Sequence, residues 1–501
     1  MKASSPTLII GSGFSGSSVA SKLDPGSYAI IDRGESIDLV QTRRKFEAMQ
    51  NDNINRHFNL IRNSYKSKHT FNVPDTLSPQ CRSEYILIGD GCSNHWGGLS
   101  FRLTPEVFNR HGTNHDWPFS YASIVPYYRE AEQLLNIAYD ARDPYRRNGT
   151  ATIAGCDYWH MLMQPHFPDA YVGAQAHNLN LDATNDQGAC GGAGDCELCP
   201  LDAKARPATI FANRNVQYDT LCREIVFEND RAIYAKCYSP KKGEFNYYFD
   251  RVVIAAHGVE SAKLLWRSDL PKEVPHHNIG RFYQDHAVAE IYGVLRNPIK
   301  YWHLNTASQI VIPELSGELE GVEYITLGII APPYDLAYQA ALHIDELATG
   351  RAKNSMERVA HVMGFYILLD IPPEWDIRLR YQDNNARLDF EEYSAHIEVY
   401  ERIMKVIRRR MEQCGIQLLR DADLLHYRQS FGTHHLVGTL NSSKGKNGVV
   451  TSDFLIKGTT NCYVAGTALF PRCGGRNPTL TATALGLKLG ELLARTSQRG
   501  N

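Results

Sequence analysis

Gly11-Ser12-Gly13-Phe14-Ser15-Gly16, followed about twenty residues after Gly11 by Asp32 and Arg33, is a set of residues able to hold a dinucleotide. The first glycine permits a tight turn, the second lets the backbone approach a pyrophosphate, and the third lets a helix pack closely on a strand. A carboxylate at the spacing of Asp32 accepts hydrogen bonds from a ribose diol. A second group is Cys190, Cys196 and Cys199, set in a glycine-rich stretch and followed by Pro200. Thiolates this close together, ahead of a proline, suit iron–sulfur ligation. The same spacing is open to a zinc site completed by His166 or His177, to a disulfide, or to a small-residue loop without metal.

The glycine turn needs a strand before it and a helix after it. Thr7-Leu8-Ile9-Ile10 is apolar and β-branched, small residues run through Ala20 to Leu23, and Tyr28-Ala29-Ile30-Ile31 leads into Asp32. The order is strand, turn, helix, strand, which points the helix N-terminus at the phosphates. Near the other end, Cys462-Tyr463-Val464-Ala465-Gly466-Thr467 and Cys473-Gly474-Gly475-Arg476-Asn477-Pro478-Thr479 precede an apolar helix running to about Leu493. Pro478 suits the first position of that helix, where a missing N–H costs nothing. A helix N-terminus presents free amides and partial positive charge, which favours a flavin pyrimidine ring that becomes anionic on two-electron reduction.

Five segments carry a resemblance to one family. They are Gly89-Asp90-Gly91-Cys92-Ser93-Asn94-His95-Trp96-Gly97-Gly98, Asp116-Trp117-Pro118 with the stretch from Pro126 to Glu132, and Val252 to Ala262 with Asn278-Ile279-Gly280-Arg281 and Asp285-His286. The others are His435-Leu436-Val437-Gly438-Thr439 and the C-terminal strand, turn and helix. In this order they resemble the glucose-methanol-choline (GMC) oxidoreductases, and only residues of about 295–425 lack a recognisable match. His257 replaces a glycine common in that family, and Leu440-Asn441 stand where many members carry arginine-methionine.

The resemblance implies FAD as cofactor, with Ser93, Asn94, His95, Trp96 and Gly97 in a loop over the flavin. Ala256, Gly466, Thr467, Asn477, Pro478 and Thr479 would add to its binding site. It implies His435 as catalytic base and Asn477 as its partner in orienting an oxygen, for hydride transfer from an alcohol carbon to flavin N5. An imidazole with a pKa near 6.5 takes a proton at neutrality, and a carboxamide orients an alkoxide without titrating. His434 would point away from the ring or support its neighbour. His95 either packs on the flavin without a bond or bonds to it, as a similarly placed histidine does in pyranose-oxidase-like members. On the cysteine loop, some dehydrogenases of the family hold a three-iron cluster, with a last spacing one residue longer than here. Such a cluster would pass electrons outward and favour a dehydrogenase over an oxidase.

The expected substrate is a small alcohol, such as a sugar, polyol or other hydroxylated molecule, with oxygen, a quinone or a redox protein as acceptor. The alternatives are a flavoprotein of the same fold that performs a non-oxidative reaction, as a lyase or decarboxylase, or an electron-transfer flavoprotein. With 53 basic and 55 acidic residues in 501, no global field favours nucleic acid or an anionic membrane. The N-terminal apolar run is too short for a signal or a membrane span, and the other cysteines are scattered, so the chain reads as cytoplasmic. The expected fold class is α/β. A discontinuous Rossmann-like FAD-binding domain occupies 1–110, 205–290 and 430–501, and an α+β substrate-binding domain with an antiparallel sheet takes 111–204 and 291–429. Within the second, Gln309-Ile310-Val311-Ile312 and Tyr324-Ile325-Thr326-Leu327 read as strands and Ile397 to Met411 as a helix.

Overall fold

The computed structural model describes residues 3–36, 70–71, 85–86, 88–94, 96–110, 114–144, 156–178, 203–211, 213–299, 309–329, 360–382, 385–389, 397–418 and 435–498. The elements that build the site run, in chain order, β1 (Ala3–Ile10), α1 (Phe14–Ala20), β2 (Tyr28–Ile31), α2 (Tyr121–Leu134), β3 (Leu221–Glu228), β4 (Arg231–Ser239), β5 (Gly243–Ile254) and α3 (Gly258–Trp266). They continue with β6 (His286–Val294), β7 (Val322–Ile329), β8 (Val362–Asp370), α4 (Ile397–Gln413), β9 (Cys462–Val464) and α5 (Thr479–Gln498).

Two sheets divide the work. In the first, the short strand Val216–Gln217 is followed by β2, β1, β5, β4 and β3, and β9 also pairs with β5. β1 lies parallel to both β2 and β5, with Ile10 opposite Ile31 on one side and Ile254 on the other. Parallel neighbours need a crossover, which α1 supplies between β1 and β2. Strands covered on both faces are apolar throughout, and Leu8, Ile9, Ile30, Val252, Val253 and Ile254 are fully buried. The second sheet is antiparallel at every pair: Gln417–Leu418, β6, β8, β7, Gln309–Val311 and Tyr171–Val172, with Gly317–Leu319 beside β7. The strands expected at 309–312 and 324–327 and the helix expected from Ile397 all form.

Each sheet has its own apolar core. The first gathers residues of β1, β2, β5 and α5 together with Trp117, Phe119, Ile124 and Tyr128. Helix α2, in the stretch after residue 110, therefore packs with the first sheet and against α5, where the Tyr128 hydroxyl meets Thr481 Oγ1 at 2.6 Å. The second core joins β6, β7, β8 and α4. Among the described residues, no helix is long and apolar enough to cross a membrane.

Helix α3 starts from His257, whose φ of 67° lies in the left-handed region that favours glycine. The backbone thus takes a conformation that suits glycine while carrying an imidazole, a strain of about 1–3 kcal/mol. Replacing His257 by alanine or by glycine removes the same imidazole, but only glycine relaxes the backbone. We expect His257→Gly to be more stable than His257→Ala by roughly 1 kcal/mol in denaturant titrations. Equal stability of the two variants would show that φ carries no strain.

Candidate active site

A cleft runs along the ends of β1, β2 and β5, past the start of α5, to the strand-like segment that carries His435. Its empty space is about 1870 Å3, counting the part open to solvent. Asp32, Arg33, Thr220, Cys222 and Glu260 line one end; Gly11, Gly13, Phe14 and Ser15 line the middle; Trp96, Gly97, His435, Asn477, Pro478 and Thr479 line the other.

The turn is built without room for side chains. Gly11 has φ 107°, and a Cβ there would lie 2.3 Å from the Ala255 carbonyl oxygen. Asp32 braces it from below: its Oδ2 accepts from Ser12 N (2.9 Å) and Ser12 Oγ (2.7 Å), and its Oδ1 accepts from Gly34 N (2.8 Å). Burial raises the Asp32 pKa, against the lowering effect of those bonds. Asp32 therefore lines the cleft as expected, but much of its acceptor capacity is spent on the turn itself. Arg214, which carries no sequence motif, clamps the same turn. Its Nη1 donates to Ser12 O (2.9 Å), Ser17 Oγ (2.8 Å) and Asp90 Oδ1 (2.7 Å), and its Nη2 donates to Asp90 Oδ2 (3.0 Å).

The loop expected over the cofactor is pinned by a buried lysine. Lys204 Nζ donates to Asn94 O (3.1 Å) and Trp96 O (2.7 Å), and Trp96 Nε1 donates to Ala205 O (2.9 Å). Ser93 Oγ accepts from Phe14 N (3.1 Å), tying the loop to the start of α1, and the Trp96 ring meets Phe14 edge-on at 5.0 Å. Beside the lysine, burial and then the Lys204 charge push the His177 pKa down to about 4. His177 is thus a neutral, interior group.

At the far end, chain pairing brings the reactive side chains together. Gln284 and Val437 form an antiparallel bridge, each N–H donating to the other's carbonyl at 3.0 Å. Two residues along each strand in opposite directions, that register sets His286 across from His435. Their Nδ1 atoms are 3.0 Å apart, with ring planes at 76°. The Asp285 carboxylate Oδ1 accepts both backbone amides, from His286 at 2.7 Å and from His435 at 3.2 Å. On its other side, His435 Nε2 lies 3.0 Å from Asn477 Nδ2. Asn477 Oδ1 is buried and has no hydrogen-bond partner among the described residues. Helix α5 starts one residue later than expected, at Thr479, with Pro478 O accepting its first helical bond from Ala482 N (2.9 Å).

Two bulky residues near this bridge hold a left-handed backbone. Thr439, a β-branched residue, has φ 66°, Phe282 has φ 59°, and Thr439 Oγ1 donates to Gly258 O at 2.6 Å. Left-handed φ at bulky residues persists only where the surroundings fix it, and such positions cluster at functional sites.

Of the residues singled out in the sequence, Gly16 and Asn94 stand behind the cleft wall. A Cβ on Gly16 would lie 2.0 Å from Gly11 O, and Asn94 Nδ2 donates to Gly89 O (2.7 Å). Ala256, Gly466 and Thr467 lie on the wall. His95, His434 and the Cys190, Cys196 and Cys199 group lie outside the described residues. Within the described residues, no group of three or more His, Cys, Asp or Glu could hold a metal ion, and His166 is bonded instead to Cys414 O through Nδ1 (2.9 Å) and to Arg296 N through Nε2 (3.0 Å). Sequence reasoning missed His286 as part of the site, along with Arg214 and Lys204; only the Asp285-His286 pair had carried a signal.

Residues 372–486 match the family described as GMC oxidoreductase. The match covers a C-terminal part of the chain, including His435 and Asn477. Among GMC-type relatives, it is 25% identical over 291 residues to the 6'''-hydroxyparomomycin C oxidase of Streptomyces lividus, covering 52% of this chain and 50% of that protein. It is 26% identical over 299 residues to the fructose dehydrogenase large subunit of Gluconobacter japonicus, covering 52% and 54%. The matched part spans about half the length of these curated relatives. A likeness in fold to solved oxidases extends through the whole chain. Pyridoxine 4-oxidase from Mesorbium loti superposes with a TM-score of 0.63 at 15% identity, over 99% of both chains. A formate oxidase does so with 0.64 at 12% identity, again over 99% of both.

Proposed function

We propose that this protein binds FAD in the cleft and oxidises an alcohol, a CH–OH donor such as a sugar, polyol or other hydroxylated small molecule. The observation that carries the reading is the pairing of His435 Nε2 with the Asn477 carboxamide at 3.0 Å, on the cleft wall beside the start of α5. The cleft fits the cofactor: a glycine turn that excludes side chains faces its middle, and a buried Asn477 Oδ1 without a partner faces the reactive end. When bound, the isoalloxazine ring supplies the hydride acceptor, at N5.

The residues of the chain do the rest. His435 Nε2 takes the hydroxyl proton as the carbon gives up its hydride, and Asn477 holds the oxygen on which charge develops. Gly11, Gly13 and Ser15 meet the pyrophosphate at the N-terminus of α1, and Asp32 and Arg33 meet the adenosine end. The Trp96 loop, held by Lys204, shields the reacting centre from water. The relatives named for 6'''-hydroxyparomomycin C and for fructose support a hydroxylated substrate.

Anaerobic addition of a panel of sugars, polyols and aromatic alcohols to the purified holoprotein tests the reading. A true substrate bleaches the flavin and yields one carbonyl product per flavin reduced. Bleaching by dithionite but by no alcohol would point to an electron-transfer protein, and product formed with no acceptor consumed would point to a lyase or decarboxylase. We favour a dehydrogenase over an oxidase, on the cysteine sequence around Cys196. Reoxidation of the reduced protein faster by a quinone than by oxygen supports that choice, and iron and sulfide in the purified protein would assign the cysteines to a cluster.

A further inference from the structure

We propose that His286 is a positioning residue that fixes the tautomer of His435, so that the proton-accepting lone pair of His435 lies on Nε2, toward Asn477 and the cleft. The inference rests on the reading of His435 as the base. Its physical content is a ladder of hydrogen bonds whose direction is set at one end.

That end is the Gly474 carbonyl oxygen, 3.0 Å from His286 Nε2. A carbonyl only accepts, so Nε2 must carry hydrogen. The neighbouring Cys473 Sγ, 3.7 Å from the same nitrogen, donates its own hydrogen to Arg476 O (3.5 Å) and so turns lone pairs toward His286. His286 is fully buried, and burial pushes its pKa down to about 4, so it is neutral at physiological pH. A neutral imidazole has one N–H, which leaves His286 Nδ1 as an acceptor.

The 3.0 Å contact between the two Nδ1 atoms then requires His435 to be the donor. With its hydrogen on Nδ1, neutral His435 has a lone pair on Nε2, which is the atom facing the Asn477 Nδ2 donor at 3.0 Å. Every step from Asn477 to Gly474 pairs a hydrogen with a lone pair. Reversing His435 alone would set two lone pairs against each other at one ring nitrogen and two hydrogens at the other. When Nε2 takes a proton, Nδ1–H stays bonded to His286, so the base changes charge without turning over. Neither backbone bond to Asp285 can do this, because both use main-chain amides.

Solid-state 15N NMR of holoprotein labelled with Nδ1-15N histidine tests the assignment before any substrate is known. Signals lost in His435→Gln identify residue 435. We expect its Nδ1 to resonate as protonated and that of His286 as unprotonated, at neutral pH. An unprotonated His435 Nδ1 in the wild-type protein overturns the proposal outright, whatever the variants do. His286→Leu removes the acceptor and should leave His435 in mixed tautomers. The rate of flavin reduction by substrate should fall roughly 10²-fold with KM little changed. His286→Asn, which places a carbonyl oxygen near the position of Nδ1, should restore the single tautomer and most of the rate. An unchanged His435 signal in His286→Leu also refutes the inference. Failure of every alcohol to reduce the flavin would sink the proposed function while leaving the tautomer result intact.

Discussion

His435→Ala is expected to slow flavin reduction by the true substrate by about 10²–10⁴-fold, the usual worth of a positioned general base, while the protein keeps its FAD. The separation of the two effects follows from the different residues that serve each role. The turn at Gly11, Gly13 and Ser15, with Asp32 and Arg33, forms one part of the cleft lining, whereas the His435 ring meets His286 and Asn477. Anaerobic stopped-flow reduction measures the rate, and the flavin-to-protein absorbance ratio measures retention. Loss should appear in kcat and kcat/KM alike, since the proton moves only as the transition state is reached. An unchanged reduction rate in the alanine variant would remove His435 from the chemistry.

Arg214→Met is expected to cost about 3–5 kcal/mol of stability and to loosen FAD binding, because it strands the Asp90 carboxylate in the interior. The pair is bidentate, with side-chain exposures of 7% for Arg214 and 3% for Asp90. The same guanidinium satisfies the Ser12 carbonyl inside the glycine turn. Removing it therefore leaves a buried charge whose remaining side-chain donor is the Tyr218 hydroxyl (3.2 Å), and takes from the Ser12 carbonyl one of its two donors, the other being Ser17 Oγ (2.7 Å), at the place where the pyrophosphate would sit. Guanidinium titration should show a lower midpoint, and the purified variant should hold less than one FAD per chain. Asp90→Asn in the same chain should recover much of the stability but not the binding, because the glycine turn still lacks the guanidinium that clamps Ser12 O and Ser17 Oγ. A double variant no more stable than Arg214→Met would show that the ion pair is not the source of the loss.

The sequence determined, without help, what depends on a few adjacent residues. A strand, a turn with glycines at 11, 13 and 16, a helix and a second strand follow from backbone sterics within about thirty residues, and the structure forms all four. The start of the C-terminal helix, misjudged by one residue, was legible in Asn477-Pro478 for the same reason. The resemblance of scattered motifs then named His435 and Asn477, which the fold sets 3.0 Å apart.

What the tertiary structure decided was the identity of their partners. His286 and His435 are separated by 149 positions and meet only because Gln284 pairs with Val437 in one register; a slip of one residue would turn either side chain to the opposite face. Arg214 reaches Ser12 across 202 positions, and Lys204 reaches Asn94 across 110, each with a type common on any surface. Asp32 shows the same limit from the other side: its spacing marks a ribose partner, but its two bonds to Ser12 in the glycine turn and one to Gly34 are visible only when the chain is folded. Local motifs record the conformations a short segment can adopt, whereas the direction of a hydrogen-bond ladder depends on acceptors, such as Gly474 O, that distant parts of the chain deliver.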